Sequence, residues 1–120
     1  MTKNLALVIE DDPDLSNIFS KALQTAGFEV EAILDGQIAQ TRLKEAIPGV
    51  IVLDMHLPHV DGPTLLKQIR ADERLAKAKV IIATADNAQA EFYRSMANIV
   101  MIKPITFSQL RDISARLKVE

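Results

Sequence analysis

Four short apolar runs in this chain each end on side chains that can handle charge. Glu10, Asp11 and Asp12 follow LALVI, Asp54 follows VIVL, Thr84 follows VIIA, and Lys103 follows IVMI. Carboxylates gathered in one pocket repel one another and take up protons unless a cation joins them. A hard cation with oxygen ligands resolves that conflict. Mg²⁺ typically uses one or two carboxylates plus waters and leaves positions open for phosphate oxygens. Asp54 then becomes a candidate nucleophile, because a carboxylate can accept a phosphoryl group as an aspartyl phosphate. Thr84 can donate a hydrogen bond to that group, and Lys103 can neutralise it as a compact point charge. Phosphoryl transfer is mostly positioning and charge stabilisation, so these few residues suffice for it.

Such chemistry requires that the runs be parallel strands, whose carboxyl ends share one edge of a sheet. Neighbouring strands lie about 4.8 Å apart, which puts Asp11 and Asp54 within reach of each other if their strands are adjacent. The hydrophobic period supports this arrangement. Residues 5–9 read as a strand buried on both faces. Asp12-Pro13 offers an N-cap followed by proline, with Asp14 in the first turn and an apolar stripe at Leu15, Ile18, Phe19, Ala22, Leu23 and Ala26, and Gly27 ends the helix. Residues 28–33 read as a second strand nearer an edge. Asp35-Gly36 starts a second helix with Ile38, Ala39, Leu43 and Ala46 inward, and Pro48-Gly49 stops it.

Residues 50–53 form the third strand, 55–61 a loop, and Leu65, Leu66 and Ile69 mark a third helix. The charged stretch 72–79 reads as solvated and 80–83 as the fourth strand. A weak helix over 87–97 has Phe92, Met96 and Tyr93 inward, and 99–102 is the fifth strand. Thr106 and Gln109 form a capping-box pair at the start of a last helix with Phe107, Leu110, Ile113 and Leu117 inward. Five alternating βα units predict an α/β fold, a flavodoxin-like (βα)5 doubly wound parallel sheet in the order 2-1-3-4-5.

The composition is that of one domain spanning residues 1–120, with 48% hydrophobic and 25% charged residues. A net charge of −2 gives no footprint for nucleic acid or an anionic membrane. The absence of cysteine excludes disulfides and thiolate metal sites. Met1-Thr2-Lys3-Asn4 is not a signal peptide, and no apolar run approaches the roughly 20 residues of a membrane span, so a cytoplasmic location is expected.

The acidic pair Glu10-Asp11, the acceptor-like Asp54, Pro58 and Gly62 in the next loop, Thr84-Ala85 and Lys103-Pro104, in that order at successive strand ends, resemble the receiver domain of two-component response regulators over essentially the whole chain. The resemblance implies a signalling phosphoprotein whose only catalysis is self-phosphorylation and self-dephosphorylation at Asp54. Mg²⁺ (or Mn²⁺) would be ligated by Asp11, Asp54 and the backbone carbonyl of His56, with Glu10 acting through water. Thr84, the Ala85 backbone and Lys103 would contact the phosphoryl group, and Lys103-Pro104 would be cis. The phosphodonor would be a histidine kinase, a phosphotransfer protein or a small phosphodonor. A downstream protein or domain, or a second copy of the chain, would receive the signal.

Three features depart from the family's pattern. Val100 stands where an aromatic switch residue is usual, and Ile105 replaces an aromatic after Lys-Pro. The segment from Thr84 to Lys103 is short by about one helical turn, with Met96-Ala97-Asn98 at its turn. These departures leave the phosphorylation chemistry intact and predict that the usual Thr84-to-aromatic relay is lost.

Simpler roles exist for most of these residues. Asp12 is best read as a helix cap, and threonine is a common strand residue. His56 and His59 flank a loop proline and read as solvated, although His56 could face an attacking water. Met96 and Met101 read as core fillers. Two other functions compete. One is an interaction module with phosphate-independent output. The other is a Mg²⁺-dependent aspartyl phosphatase, suggested by Asp12-Pro13-Asp14 but disfavoured because no cap domain is present. A flavin site is disfavoured because no glycine- or hydroxyl-rich loop follows the first strand. No output segment follows Glu120, which fits either a single-domain regulator or the receiver of a longer protein.

Overall fold

Residues 5–9 are nearly all apolar because the strand they form, β1 (Leu5–Ile9), is covered on both faces. A computed structural model describes residues 4–118. The readings of Met1–Lys3 and of Glu120 lie outside that range. β1 is followed by α1 (Pro13–Thr25), β2 (Glu29–Ile33), α2 (Gly36–Leu43), β3 (Val50–Asp54), α3 (Gly62–Ala71), β4 (Lys79–Thr84), α4 (Asn87–Tyr93), β5 (Ile99–Ile102) and α5 (Phe107–Leu117). All neighbouring strands pair in parallel, in the order β2-β1-β3-β4-β5. This is the flavodoxin-like fold expected, with the three most apolar strands in the centre and β2 at an edge.

Because successive strand residues face opposite sides, the central strands feed two cores. Leu7, Ile9, Ile51, Leu53, Val80 and Ile82 pack with Leu43, Leu65, Leu66 and Ile69 from α2 and α3. Ala6, Val8, Val52, Ile81 and Ala83 pack on the other face with Phe19 and Leu23 of α1 and Leu110 of α5.

The helix starts follow their capping residues. Asp12 accepts from the Asp14 and Leu15 amides at 2.9 and 3.3 Å, and Asp35 caps α2 through Gln37 and Ile38. Thr106 and Gln109 complete a reciprocal capping box. Gly27, at φ +104°, follows the C-cap of α1 in the left-handed region.

Several expectations need correction. Ile18 and Ile38 are exposed, because the buried positions of α1 and α2 centre on Phe19, Ala22 and Leu23 and on Ala39 and Leu43. α2 ends at Leu43, well before Pro48, where the Lys44 and Glu45 amides tighten onto Thr41 and Arg42. Phe28 is buried but precedes β2, its amide donating to the Leu23 carbonyl. The 72–79 stretch is not simply solvated. Asp72 caps a 3-10 turn over Glu73–Leu75, and Leu75 and Ala78 are buried. Phe92 is 76% exposed rather than inward. On α4 the inward positions are Ala90 and Tyr93, one turn apart, and Phe92 lies off that face, while Met96 packs on the core as expected.

Candidate metal and phosphoryl site at the strand ends

The polar strand ends meet at one edge of the sheet. Glu10 continues the β1 ladder through its amide, which donates to the Ile33 carbonyl at 3.0 Å, and its side chain is 1% exposed. Asp54 is the last residue of β3, one residue beyond the expected strand, and is 3% exposed. Asp11 is exposed at the rim. Carboxylate oxygens of Glu10, Asp11 and Asp54 lie within 4.8 Å of one another. They line an open cavity of about 370 Å³ that His56, Thr84, Ala85 and Lys103 also reach.

Lys103 is the cation of this site. Its Nζ donates to Glu10 Oε1 at 2.8 Å and to Asp54 Oδ1 at 3.3 Å. The Lys103–Pro104 peptide is cis, and the Lys103 amide donates to the Thr84 carbonyl at 2.8 Å. Asp54 Oδ1 also accepts from the His56 amide at 3.2 Å. Glu10 Oε2 accepts from the Asp12 amide at 3.1 Å.

Burial pushes the Glu10 carboxyl up to about 7, and the neighbouring Asp54 charge adds to this. Hydrogen bonds from Lys103 and the Asp12 amide pull the other way. Burial also opposes the charge on Lys103, but the Glu10 hydrogen bond and the Asp54 charge outweigh it and hold the ammonium above its ordinary value. Three carboxylates facing one ammonium leave negative charge uncompensated. Oxygen donors at this spacing, open to water at the Asp11 side, suit a hard divalent cation that keeps part of its hydration shell.

Two close backbone approaches fix the loop after Asp54. A Cβ on Gly62 would stand 2.4 Å from Met55 Cα and 2.6 Å from the Asp54 carbonyl oxygen, so only glycine lets α3 start against the strand end. A Cβ on Gly36 would stand 1.7 Å from the Val60 carbonyl oxygen. The Gly36 amide donates to the Pro58 carbonyl at 3.3 Å. His59, at φ 68°, pairs with Asp35 at the start of α2.

The sequence reading placed Gly36 at the start of α2 but missed its close approach to Val60 and the His59–Asp35 contact, which pin the acceptor loop to α2. It also missed Gln89, whose Oε1 accepts from the Thr84 hydroxyl at 3.1 Å. None of these three contacts carries a periodic or motif signal. Asp12 and Asp14 sit at the start of α1, with the Asp12 carboxylate committed to its cap. Val100 is half-buried and packs against the core on the α2 and α3 side, and Ile105 is buried on the other. His56 is exposed.

A family model described as the response regulator receiver domain matches residues 6–115. The phosphate regulon transcriptional regulatory protein PhoB of Rhizobium meliloti is 33% identical over 106 residues, covering 86% of this chain and 47% of that protein. The DNA-binding response regulator MtrA of Mycolicibacterium smegmatis is 36% identical over 116 residues, covering 93% of this chain and 50% of that protein. This chain therefore spans half or less of those relatives' lengths.

Among solved structures, the receiver domain of the sensor histidine kinase PA1611 from Pseudomonas aeruginosa PAO1, with a magnesium ion coordinated in its active-site cleft, superposes with a TM-score of 0.83. It is 26% identical, covering 95% of this chain and 96% of that one. The chemotaxis response regulator CheY4 of Vibrio cholerae, at 23% identity and a TM-score of 0.84, shares the fold over 94% of this chain and 97% of that one.

Proposed function

The chain belongs to the response regulator receiver domain family, and on that premise we propose that it is the phosphoacceptor switch of a two-component phosphorelay, phosphorylated on Asp54. The observation that carries this reading is the convergence of Glu10, Asp11 and Asp54 oxygens within 4.8 Å, with Lys103 reaching two of the three. In the proposed reaction an Asp54 carboxylate oxygen attacks the phosphorus of a phosphohistidine. The phosphorus–oxygen bond forms as the phosphorus–nitrogen bond breaks, and the imidazole leaves with the electron pair.

Asp11, Asp54 and the His56 carbonyl would hold Mg²⁺ or Mn²⁺, with Glu10 acting through water. When bound, the ion supplies charge neutralisation to the acceptor and to the incoming phosphoryl oxygens. Lys103 and Thr84 would contact the transferred group together with the Ala85 backbone. Pro58, Gly62 and Pro104 would shape the loops around it. The donor would be a histidine kinase, a phosphotransfer protein or a small phosphodonor. The signal would pass to a downstream protein or domain, or to a second copy of the chain. Residues 1–120 would act as one receiver domain, in the cytoplasm, without touching nucleic acid or membrane themselves.

Intact-mass measurement after incubation with acetyl phosphate tests the proposal. Wild type should gain one phosphoryl group only with Mg²⁺ or Mn²⁺ present, and Asp54→Asn should gain none. Labelling that survives in Asp54→Asn, or wild type that never labels, would remove the reading.

Val100 supports a second reading, an interaction module whose output ignores phosphate, since valine offers no ring to follow Thr84. Under that reading beryllofluoride, which mimics a bound phosphoryl group, would bind without altering anything beyond the pocket.

A further inference from the structure

Thr84 has one hydroxyl proton, and here it is already in use. Its Oγ1 donates to Gln89 Oε1 at 3.1 Å and accepts from the Asp86 amide at 3.1 Å. Gln89 is half-buried on α4, and its own amide donates to the capping carboxylate of Asp86 at 3.0 Å. The start of α4 is thus tied to the last residue of β4 through the Thr84 hydroxyl, which accepts from the cap residue Asp86 and donates to Gln89.

The far end of this helical segment is held differently. The 3-10 turn Arg94–Met96 and the residues after it are clamped from α3. Arg70 donates to the Met96 carbonyl at 2.8 Å, the Ala78 carbonyl at 3.2 Å and Asn98 Oδ1 at 3.0 Å. Asn98 Oδ1 also accepts from the Val80 amide at 2.8 Å. One end of the segment is therefore clamped from α3, and at the other the single hydroxyl proton of Thr84, which lines the acceptor pocket, is committed to Gln89.

We propose that Gln89 is the positioning residue through which Thr84 reports phosphorylation to α4, in place of an aromatic side chain at position 100. The inference rests on the phosphoacceptor reading of Asp54. A hydroxyl with one proton cannot donate to Gln89 and to a phosphoryl oxygen together. Phosphorylation that recruits Thr84 therefore breaks the Gln89 bond. The released part of α4 moves about the turn that Arg70 holds. Phe92, already 76% exposed, rides on the moving part.

Amide hydrogen exchange of the full chain, with and without Mg²⁺ and beryllofluoride, tests this, while ¹⁹F resonance reports bound beryllofluoride independently. In wild type, beryllofluoride should speed exchange in Ala90–Arg94 by roughly 2- to 10-fold, the weight of one neutral hydrogen bond. Gln89→Leu should exchange at the faster rate without beryllofluoride and gain little on adding it. Gln89→Glu can only accept a hydrogen bond, so it should keep α4 protected when free and restore the response. Bound beryllofluoride with unchanged α4 exchange in wild type, or Gln89→Leu behaving as wild type in both states, would overturn the inference alone. Wild type that binds no beryllofluoride would overturn the phosphoacceptor reading, and this inference with it.

Discussion

Glu10 and Asp54 are buried side by side, and Lys103 is the counter-charge they share. The pH dependence follows from the direction of each shift. An ordinary glutamate titrates near 4.5, and burial holds Glu10 at about 7 in the folded protein. Between those values the folded state keeps a proton that the unfolded chain has lost, so stability falls as pH rises through that window. The loss is on the order of 3 kcal/mol at most. Lys103 does not blur it, because its contribution is complete below the ordinary lysine range and is lost only as pH climbs above that range. Urea denaturation of the metal-free protein from pH 5 to 7.5 should show the fall, and Glu10→Gln should abolish it. Equal slopes in the two proteins would contradict the assignment.

Lys103→Met should destabilise the metal-free protein by roughly 1–3 kcal/mol, less than a fully stranded buried charge costs because Glu10 can take up a proton. Mg²⁺ should then stabilise the variant more than it stabilises wild type, as read by thermal melting.

At the level of elements, the acceptor loop is held by neighbours that contribute no chemistry. Gly36 lets α2 begin against the Val60 carbonyl, so Gly36→Ala should cost about 1–3 kcal/mol through forced displacement of the loop. Thr106→Ala, which removes one half of a capping box, should cost about 1 kcal/mol. Denaturant midpoints check both, and only the Gly36 change should also slow acetyl-phosphate labelling.

Starts of elements were more legible than ends. Asp12-Pro13, Asp35-Gly36 and Thr106 announce helices by side-chain bonds made within a few residues. The end of α2 at Leu43 and the 3-10 close of α4 depend on local tightening and on Arg70 reaching across from α3, and no local pattern encodes either. Thr84 and Lys103 could be placed at the rim from sequence because each stands at the end of an apolar strand, whereas Pro58 and Gly62 were singled out only by the resemblance to receiver domains. Gln89 could not be placed, because its partner is set by the turn between β4 and α4.

Over the whole molecule, five parallel strands divide their side chains between two cores, and this is what brings distant residues to one rim. The order 2-1-3-4-5 was legible because the most apolar runs must be central. Facing within helices was less so, since Ile18, Ile38 and Phe92 match an apolar pattern yet lie off the buried stripe. The difference is measurable. Leu53→Ala, in the central strand next to Asp54, should cost about 2–5 kcal/mol. Phe92→Ser should change stability by no more than about 0.5 kcal/mol, as read by the same denaturation curves.

Paramagnetic Mn²⁺ titrated into the isotopically labelled protein bears most directly on the claim that this rim holds a divalent cation beside the acceptor oxygen. Amide resonances around Asp11, Asp54 and His56 should broaden first and together, and Asp11→Asn and Asp54→Asn should each remove the effect at the same metal concentration. Broadening centred elsewhere on the chain, or unchanged in both variants, would contradict the account.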